Sequence, residues 1–217
     1  LHPRVRRQRQ MCIETGINHS TEGDFQKFSI QRHRDNKVFN LELDLTGNYQ
    51  VHNILTAIAV IDLLHQETPL TISLRALTEG MRTVASGTAL QGRWQKLGDK
   101  PLTICDTGHN AHGIRYVAEQ LAATPHRDLY CVLGFVNDKD LSSVLPLFPK
   151  EARYIFTQPG NERALPAGKL AEKRLHTVSG EVADTVSGAL ARAREMASEE
   201  DMIFIGGSNF VVAEVLE

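Results

Sequence analysis

The chain has 217 residues, 41% of them apolar and 23% charged, enough for one large domain or for one ordinary domain plus part of another. Its formal charge of -2 removes any bulk electrostatic reason to bind nucleic acid or an anionic membrane surface, so any bound anion must be held by a local site. No stretch approaches roughly 18 successive apolar residues and no charged-then-apolar leader opens the chain, so neither a membrane-spanning helix nor a targeting segment is expected.

The chain opens at Leu1 rather than Met and runs into Arg4, Arg6, Arg7 and Arg9. This suggests an excised fragment, and the basic cluster, short and free of aromatics, is given no function. Alternation in Phe25–Ile30 and Val38–Leu43 predicts two strands around a polar turn at Arg34-Asp35-Asn36. Residues 48–64 then carry a helical pattern through Ile54, Leu55, Ile58, Ile61 and Leu64, and 74–81 a second one. The stretch from Ala85 to Gly92 reads as a loop and a candidate domain boundary.

Beyond it the pattern becomes a regular alternation. Strands are predicted at 102–105, 129–133, 154–156, 175–178 and 202–205, with helices at about 112–123, 139–147, 166–174, 182–197 and 209–216. Short, almost wholly apolar strands separated by helices predict an open, doubly wound and mostly parallel α/β sheet. Ligands of such sheets bind beyond the carboxyl ends of the strands. Those positions hold Asp106-Thr107-Gly108-His109-Asn110, then Gly134 to Asp140, Thr157 to Arg163, and Gly206-Gly207-Ser208-Asn209.

Each of these segments has a functional and a plain structural explanation. Asp106 could accept from a ribose hydroxyl and Gly108 could let amides approach an anion, or Asp106 and Asn110 could simply cap a turn. Arg93 could reach a triphosphate with its fork of donors, or lie on the surface stacked on Trp94. Lys139, between Asp138 and Asp140, could sit over a phosphate, or the acids could cap a helix. Ser208 could hold a carboxylate at a helix N-terminus, or act as an ordinary cap. The odd count of Cys12, Cys105 and Cys131, two of them in apolar runs, points to a reducing, cytoplasmic setting. Nine histidines show no metal-ligand spacing, and no GxxxxGK[ST], GxGxxG or GxSxG motif occurs.

Taken in order, Leu45-Thr46-Gly47-Asn48-Tyr49-Gln50-Val51-His52-Asn53, Gly92-Arg93-Trp94-Gln95, Asp106 to Asn110, Asp138-Lys139-Asp140 and Gly207-Ser208 resemble the C-terminal half of the folylpolyglutamate synthetase/dihydrofolate synthase family. That family is a branch of the muramyl-peptide ligase superfamily, and the resemblance runs from about residue 40 to the end. It implies that residues 1–86 are the tail of a P-loop ATPase domain and that 87–217 are a complete Rossmann-like glutamate-ligase domain. It also implies a monomeric, cytoplasmic parent protein that uses ATP and Mg²⁺ to turn the carboxylate of a folate or dihydropteroate into an acyl phosphate, which the amine of L-glutamate attacks. The fragment alone is then expected to be inactive, because the main ATP and Mg²⁺ determinants lie outside it.

Carried over by this resemblance, Asn53 and Gln50 would meet the adenine, Arg93 the ATP phosphates and Asp106 the ribose. His109 and Lys139 would be catalytic, His109 near the phosphate or glutamate and Lys139 acting electrostatically, and Ser208 would hold the glutamate carboxylate. Two departures stand out. Thr107-Gly108 and Ala111 replace residues of the family's usual Asp-Gly-Ala-His-Asn-Pro, and an aromatic is displaced to Phe210. No metal ligand is assigned. The alternatives are a ligase with a muramyl-peptide acceptor and a non-catalytic α/β binding module.

Overall fold

The computed structural model describes residues 18–31, 36–137, 141–172 and 180–217. They form two compact units, a first running to Gln91 and a second from Gly92 to Glu217.

In the first unit β1 (Asn18–Glu22), β2 (Phe25–Gln31) and β3 (Val38–Leu43) form an antiparallel sheet in that order. The period of two along β2 puts Phe28 and Ile30 on one face, and the register sets Leu41 opposite Phe28 and Leu43 opposite Gln26. Helix α1 (Gln50–Glu67) closes that face with Ile54 and Ile58. Helix α2 (Leu74–Arg82) starts at Ser73, whose hydroxyl accepts from the Ala76 N–H at 3.1 Å. The stretch from Ala85 on, expected to be a loop, begins instead as helix α3 (Val84–Thr88). The physical reason is Asp44, whose carboxylate accepts from the N–H groups of Ala85 at 2.9 Å and Ser86 at 3.3 Å and so caps a helix start. Except for Asn36, the predicted turn lies outside the described residues, as does the basic cluster.

The second unit is a six-stranded sheet. Its strands are β4 (Gln95–Asp99), β5 (Leu102–Asp106), β6 (Leu129–Leu133), β7 (Arg153–Phe156), β8 (Gly180–Val182) and β9 (Met202–Gly206), in the order β4-β5-β9-β6-β7-β8. All neighbours are parallel except β4, which runs antiparallel to β5 with an irregularity between Lys96 and Gly98. Alternate residues of the central strands feed two cores. Ile104, Cys131, Leu133, Tyr154, Phe156 and Phe204 face one side, where Ile114, Val117 and Leu121 of α4 (Ala111–Ala123) and Leu170 of α5 (Ala167–Glu172) cover them. Cys105, Tyr130, Val132, Ile155, Ile203 and Ile205 face the other side, covered by α6 (Val186–Met196) and α7 (Asn209–Leu216). A sheet apolar on both faces and wound on both sides is the architecture that the near-continuous apolar runs specify.

Two local expectations change, and a third is not tested. Residues 141–147 form turns and a short 3₁₀ segment, Leu145–Leu147, instead of an α-helix; Pro146 has no N–H to give and crowds the preceding turn. The strand expected at 175–178 falls outside the described residues, and the described edge strand is Gly180–Val182, followed by α6 from Val186 rather than from 182. Strands β1 and β4 were not expected at all.

At the amino ends of the strands Asp201 is an anchor. Its carboxylate, fully buried, accepts from Ser198 N at 2.7 Å, Ser198 Oγ at 2.9 Å, Asp128 N at 3.2 Å and the Arg127 guanidinium at 3.2 Å. Burial pushes its pKa up, but those donors outweigh burial and hold it below the ordinary value. A depressed folded-state pKa gives stability that is present above the unfolded value, about 3.9, and lost as pH falls through the folded value. Asp201→Asn is therefore expected to cost about 2–4 kcal/mol at pH 7. In urea unfolding from pH 7 to pH 3, its deficit relative to the parent should shrink below about pH 4. A deficit that does not change with pH would contradict this account.

Candidate functional site

The strand registers bring four loops to one edge. Asp106 and Leu133 both lie opposite Gly206, and Phe156 lies opposite Leu133, so the chain leaves β5, β9, β6 and β7 in one row. From β5 it enters α4 on one face, and from the adjacent β9 it enters α7 on the other. Neighbouring strands whose helices diverge leave a crevice between their loops, the usual ligand position in such sheets.

The β5 side of the crevice is built around Asp106. Asp106 is 1% exposed; its Oδ1 accepts from Gly108 N and its Oδ2 from Trp94 N, each at 2.7 Å. Thr107 N donates to Gly92 O at 2.9 Å, and Gly92 N to Gln95 Oε1 at 2.7 Å. These bonds hold the turn carrying Arg93, an exposed side chain whose Nη1 donates to Thr107 Oγ1 at 2.8 Å. Trp94 is not a surface partner for Arg93. It is 6% exposed and packs its ring 6.3 Å from that of Phe204. Half-buried His109 meets Thr107 O through Nδ1 at 3.0 Å. Because a carbonyl only accepts, Nδ1 is the donor in this contact, and Nε2 takes no part in it. Asn110 caps α4, its Oδ1 accepting from Gly113 N at 2.9 Å.

On the β9 side, Gly206 and Gly207 lead to Ser208, the N-cap of α7, whose Oγ accepts from Val211 N at 3.2 Å. Gly207 has φ +93°, and a Cβ there would lie 2.7 Å from Gly134 O. The loops after β6 and β7 are tied to each other, Asn137 N donating to Arg163 O at 2.9 Å. The crevice thus has a guanidinium and an imidazole on one side and a helix N-terminus on the other, a combination suited to two anionic groups.

Residues 92–209 match the family model described as the glutamate ligase domain of Mur ligases. The chain belongs to this family. It is 29% identical over 167 residues to the dihydrofolate synthase/folylpolyglutamate synthase of Escherichia coli K12, covering 76% of this chain and 37% of that protein. Among solved structures, E. coli FolC in complex with DHPP and ADP superposes with a TM-score of 0.72 at 27% identity, covering 92% of this chain and 45% of that one. A bifunctional folylpolyglutamate synthase/dihydrofolate synthase with Mn, AMPPNP and L-glutamate bound gives 0.70 at 25% identity, with 94% and 46% covered. The chain therefore spans less than half the length of these relatives.

Within this ligase domain, Arg93, Asp106, His109 and Ser208 all sit on the crevice loops. Asp106, expected to meet a ribose, accepts from the backbone N–H groups of Trp94 and Gly108. Lys139, with Asp138 and Asp140, lies outside the described residues. Gln50 and Asn53 belong to the first unit, where Asn53 Nδ2 donates to Gln50 Oε1 at 2.7 Å at the start of α1, with Gln50 3% exposed and Asn53 exposed. Two residues acquire roles that the sequence did not give them, Thr107 as the tether of Arg93 and Gln95 as the cap of the Gly92 turn. The only hint was a glutamine three residues beyond a glycine. Among the described residues no cluster of three or more His, Cys, Asp or Glu could hold a metal ion, and no helix is long and apolar enough to cross a membrane.

Proposed function

We propose that this chain is the glutamate-handling part of an ATP-dependent carboxylate-amine ligase that adds L-glutamate to a folate or dihydropteroate. The observation that carries the reading is the crevice at the switch point, with Arg93 and His109 on one side and the Ser208 cap on the other, in a domain of the glutamate ligase family. The carboxylate of the acceptor attacks the γ-phosphorus of ATP and ADP leaves, giving an acyl phosphate. The glutamate amine then attacks the acyl carbon, phosphate departs with the C–O electron pair, and the amine gives up a proton.

In this scheme Arg93 lies against the phosphates, where a fixed cation stabilises charge as it develops. Ser208 and the first N–H groups of α7 receive the glutamate carboxylate. His109 is assigned to take the amine's proton through Nε2. Asn53 and Gln50 are assigned to the adenine and Lys139 to electrostatic support. Mg²⁺ would neutralise the triphosphate; no residue of this chain is assigned to it. A cytoplasmic setting and a monomeric parent complete the proposal, the former supported by Cys105 and Cys131, both buried as free thiols.

Full-length protein supplied with ATP, glutamate and dihydropteroate or a reduced folate should release phosphate in proportion to amide formed. Phosphate release with a muramyl-peptide acceptor alone would overturn the folate assignment. The 217-residue chain alone should show no turnover and only weak heat on titration with ATP; tight binding would mean that this half holds the nucleotide unaided.

A further inference from the structure

The loop after β7, residues 157–163, is fastened on two sides. Its far limb is stitched to the loop after β6. Asn137 N donates to Arg163 O at 2.9 Å, Asn137 Nδ2 to Ala164 O at 3.2 Å, and Leu165 N to Phe135 O at 2.9 Å. The near limb turns on itself, Asn161 N donating to Pro159 O at 2.9 Å, and there it meets α7. Gly160 N donates to Glu214 Oε1 at 2.5 Å. Gly160 is exposed and has no side chain with which to keep its place, so its N–H is the handle by which the helix holds the loop.

Glu214 stands about 9 Å beyond Ser208 along α7 and shares a face with the exposed Phe210, one turn nearer the helix start. The tie therefore lays the loop after β7 along the flank of α7 that leads back to Ser208. The loop after β6 reaches the same helix start through Gly207, whose backbone lies so close to Gly134 O that a Cβ would stand 2.7 Å from it. Two loops thus border the N-terminus of α7, and Glu214 holds one of them.

We propose that Glu214 is a positioning residue whose carboxylate pins the loop after β7 to α7 and so fixes one wall of the place where glutamate is received. This rests on the ligase reading, which puts the glutamate carboxylate at Ser208. The role needs an acceptor at Oε1 and no negative charge. Glutamine keeps that acceptor and removes the charge, so Glu214→Gln separates pinning from an electrostatic action on the incoming glutamate. Glu214 is exposed and alanine and glutamine are both good helix formers, so neither variant threatens the fold.

In the full-length enzyme Glu214→Ala should raise KM for glutamate about five- to tenfold, less than a buried charged hydrogen bond would give because the pair is exposed. Both kcat and KM for ATP should change by less than about twofold, the signature of lost binding to one substrate. Glu214→Gln should stay within about twofold of the parent in all three. Equal rises in KM for glutamate and for ATP, or a glutamine variant as impaired as the alanine one, would overturn the proposal.

On the 217-residue chain, the ¹⁵N order parameter of Gly160 should fall from about 0.85 to below about 0.6 in Glu214→Ala and hold in Glu214→Gln, with Val132 at the centre of the sheet unchanged. A Gly160 amide as ordered in the alanine variant as in the parent would show that the carboxylate does not hold the loop, and would overturn the proposal whatever the kinetics. A full-length parent with no ligase activity would overturn the ligase reading and the kinetic role with it, while the order parameters would still decide the tie.

Discussion

Arg93→Ala in the full-length enzyme is expected to lower kcat/KM for ATP by about 100- to 1,000-fold, the loss typical of removing one preorganised group that stabilises charge in a transition state. The size follows from how the side chain is held. Its backbone is fixed by the hydrogen bonds of Gly92 and Trp94, and its guanidinium is tethered to Thr107 Oγ1, so the proposed phosphate contact would need little reorganisation. Arg93→Lys should recover only part of the loss, since an ammonium keeps the charge but not the planar fork. Thr107→Val, which removes the tether and leaves the cation, should cost a few-fold. Initial rates at varied ATP measure all three. Stability should stay within about 0.5 kcal/mol, because the Arg93 side chain is exposed. Unchanged kinetics for Arg93→Ala would remove this residue from the site.

Gly207→Ala should have the largest effect on the fold of the second unit, a loss of about 3–5 kcal/mol. Two costs add. The backbone lies at φ +93°, where an alanine Cβ is strained. That Cβ would also stand 2.7 Å from Gly134 O and 2.9 Å from the Phe135 ring, so the loops after β6 and β9 would have to part. Gly168→Ala is the contrast. It lies inside α5 with nothing within 4 Å of its would-be Cβ, and should gain about 0.5–1 kcal/mol. Guanidinium unfolding followed by circular dichroism reads both, and equal midpoints would show that the β9 turn tolerates a side chain.

Much of the second unit can be read from its residues because burial on both faces leaves an unmistakable trace. Leu129 to Leu133 and Met202 to Ile205 are apolar throughout and became β6 and β9. Strand β4 left no such trace, since Gln95, Lys96 and Asp99 line an edge with solvent access and an irregularity at Gly98. Strand β1, Asn18 to Glu22, is polar for similar reasons. The helix expected over 139–147 ignored Pro146. At the site, residue types and their position at strand ends are visible in sequence, but the direction of a carboxylate is not. Asp106 faces inward because Trp94 adopts a positive φ and offers its N–H there, and no local pattern announces that a tryptophan will do so.

Strand β9 comes last among the six along the chain yet lies between β5 and β6. During synthesis β5 and β6 therefore emerge as strands without their shared partner, both faces apolar and their edges open, a state prone to mispairing until β9 leaves the ribosome. The same segment delivers Ser208. The growing polypeptide consequently displays its cationic loop long before the helix start that would receive glutamate, and the two come together only in the step that closes the sheet.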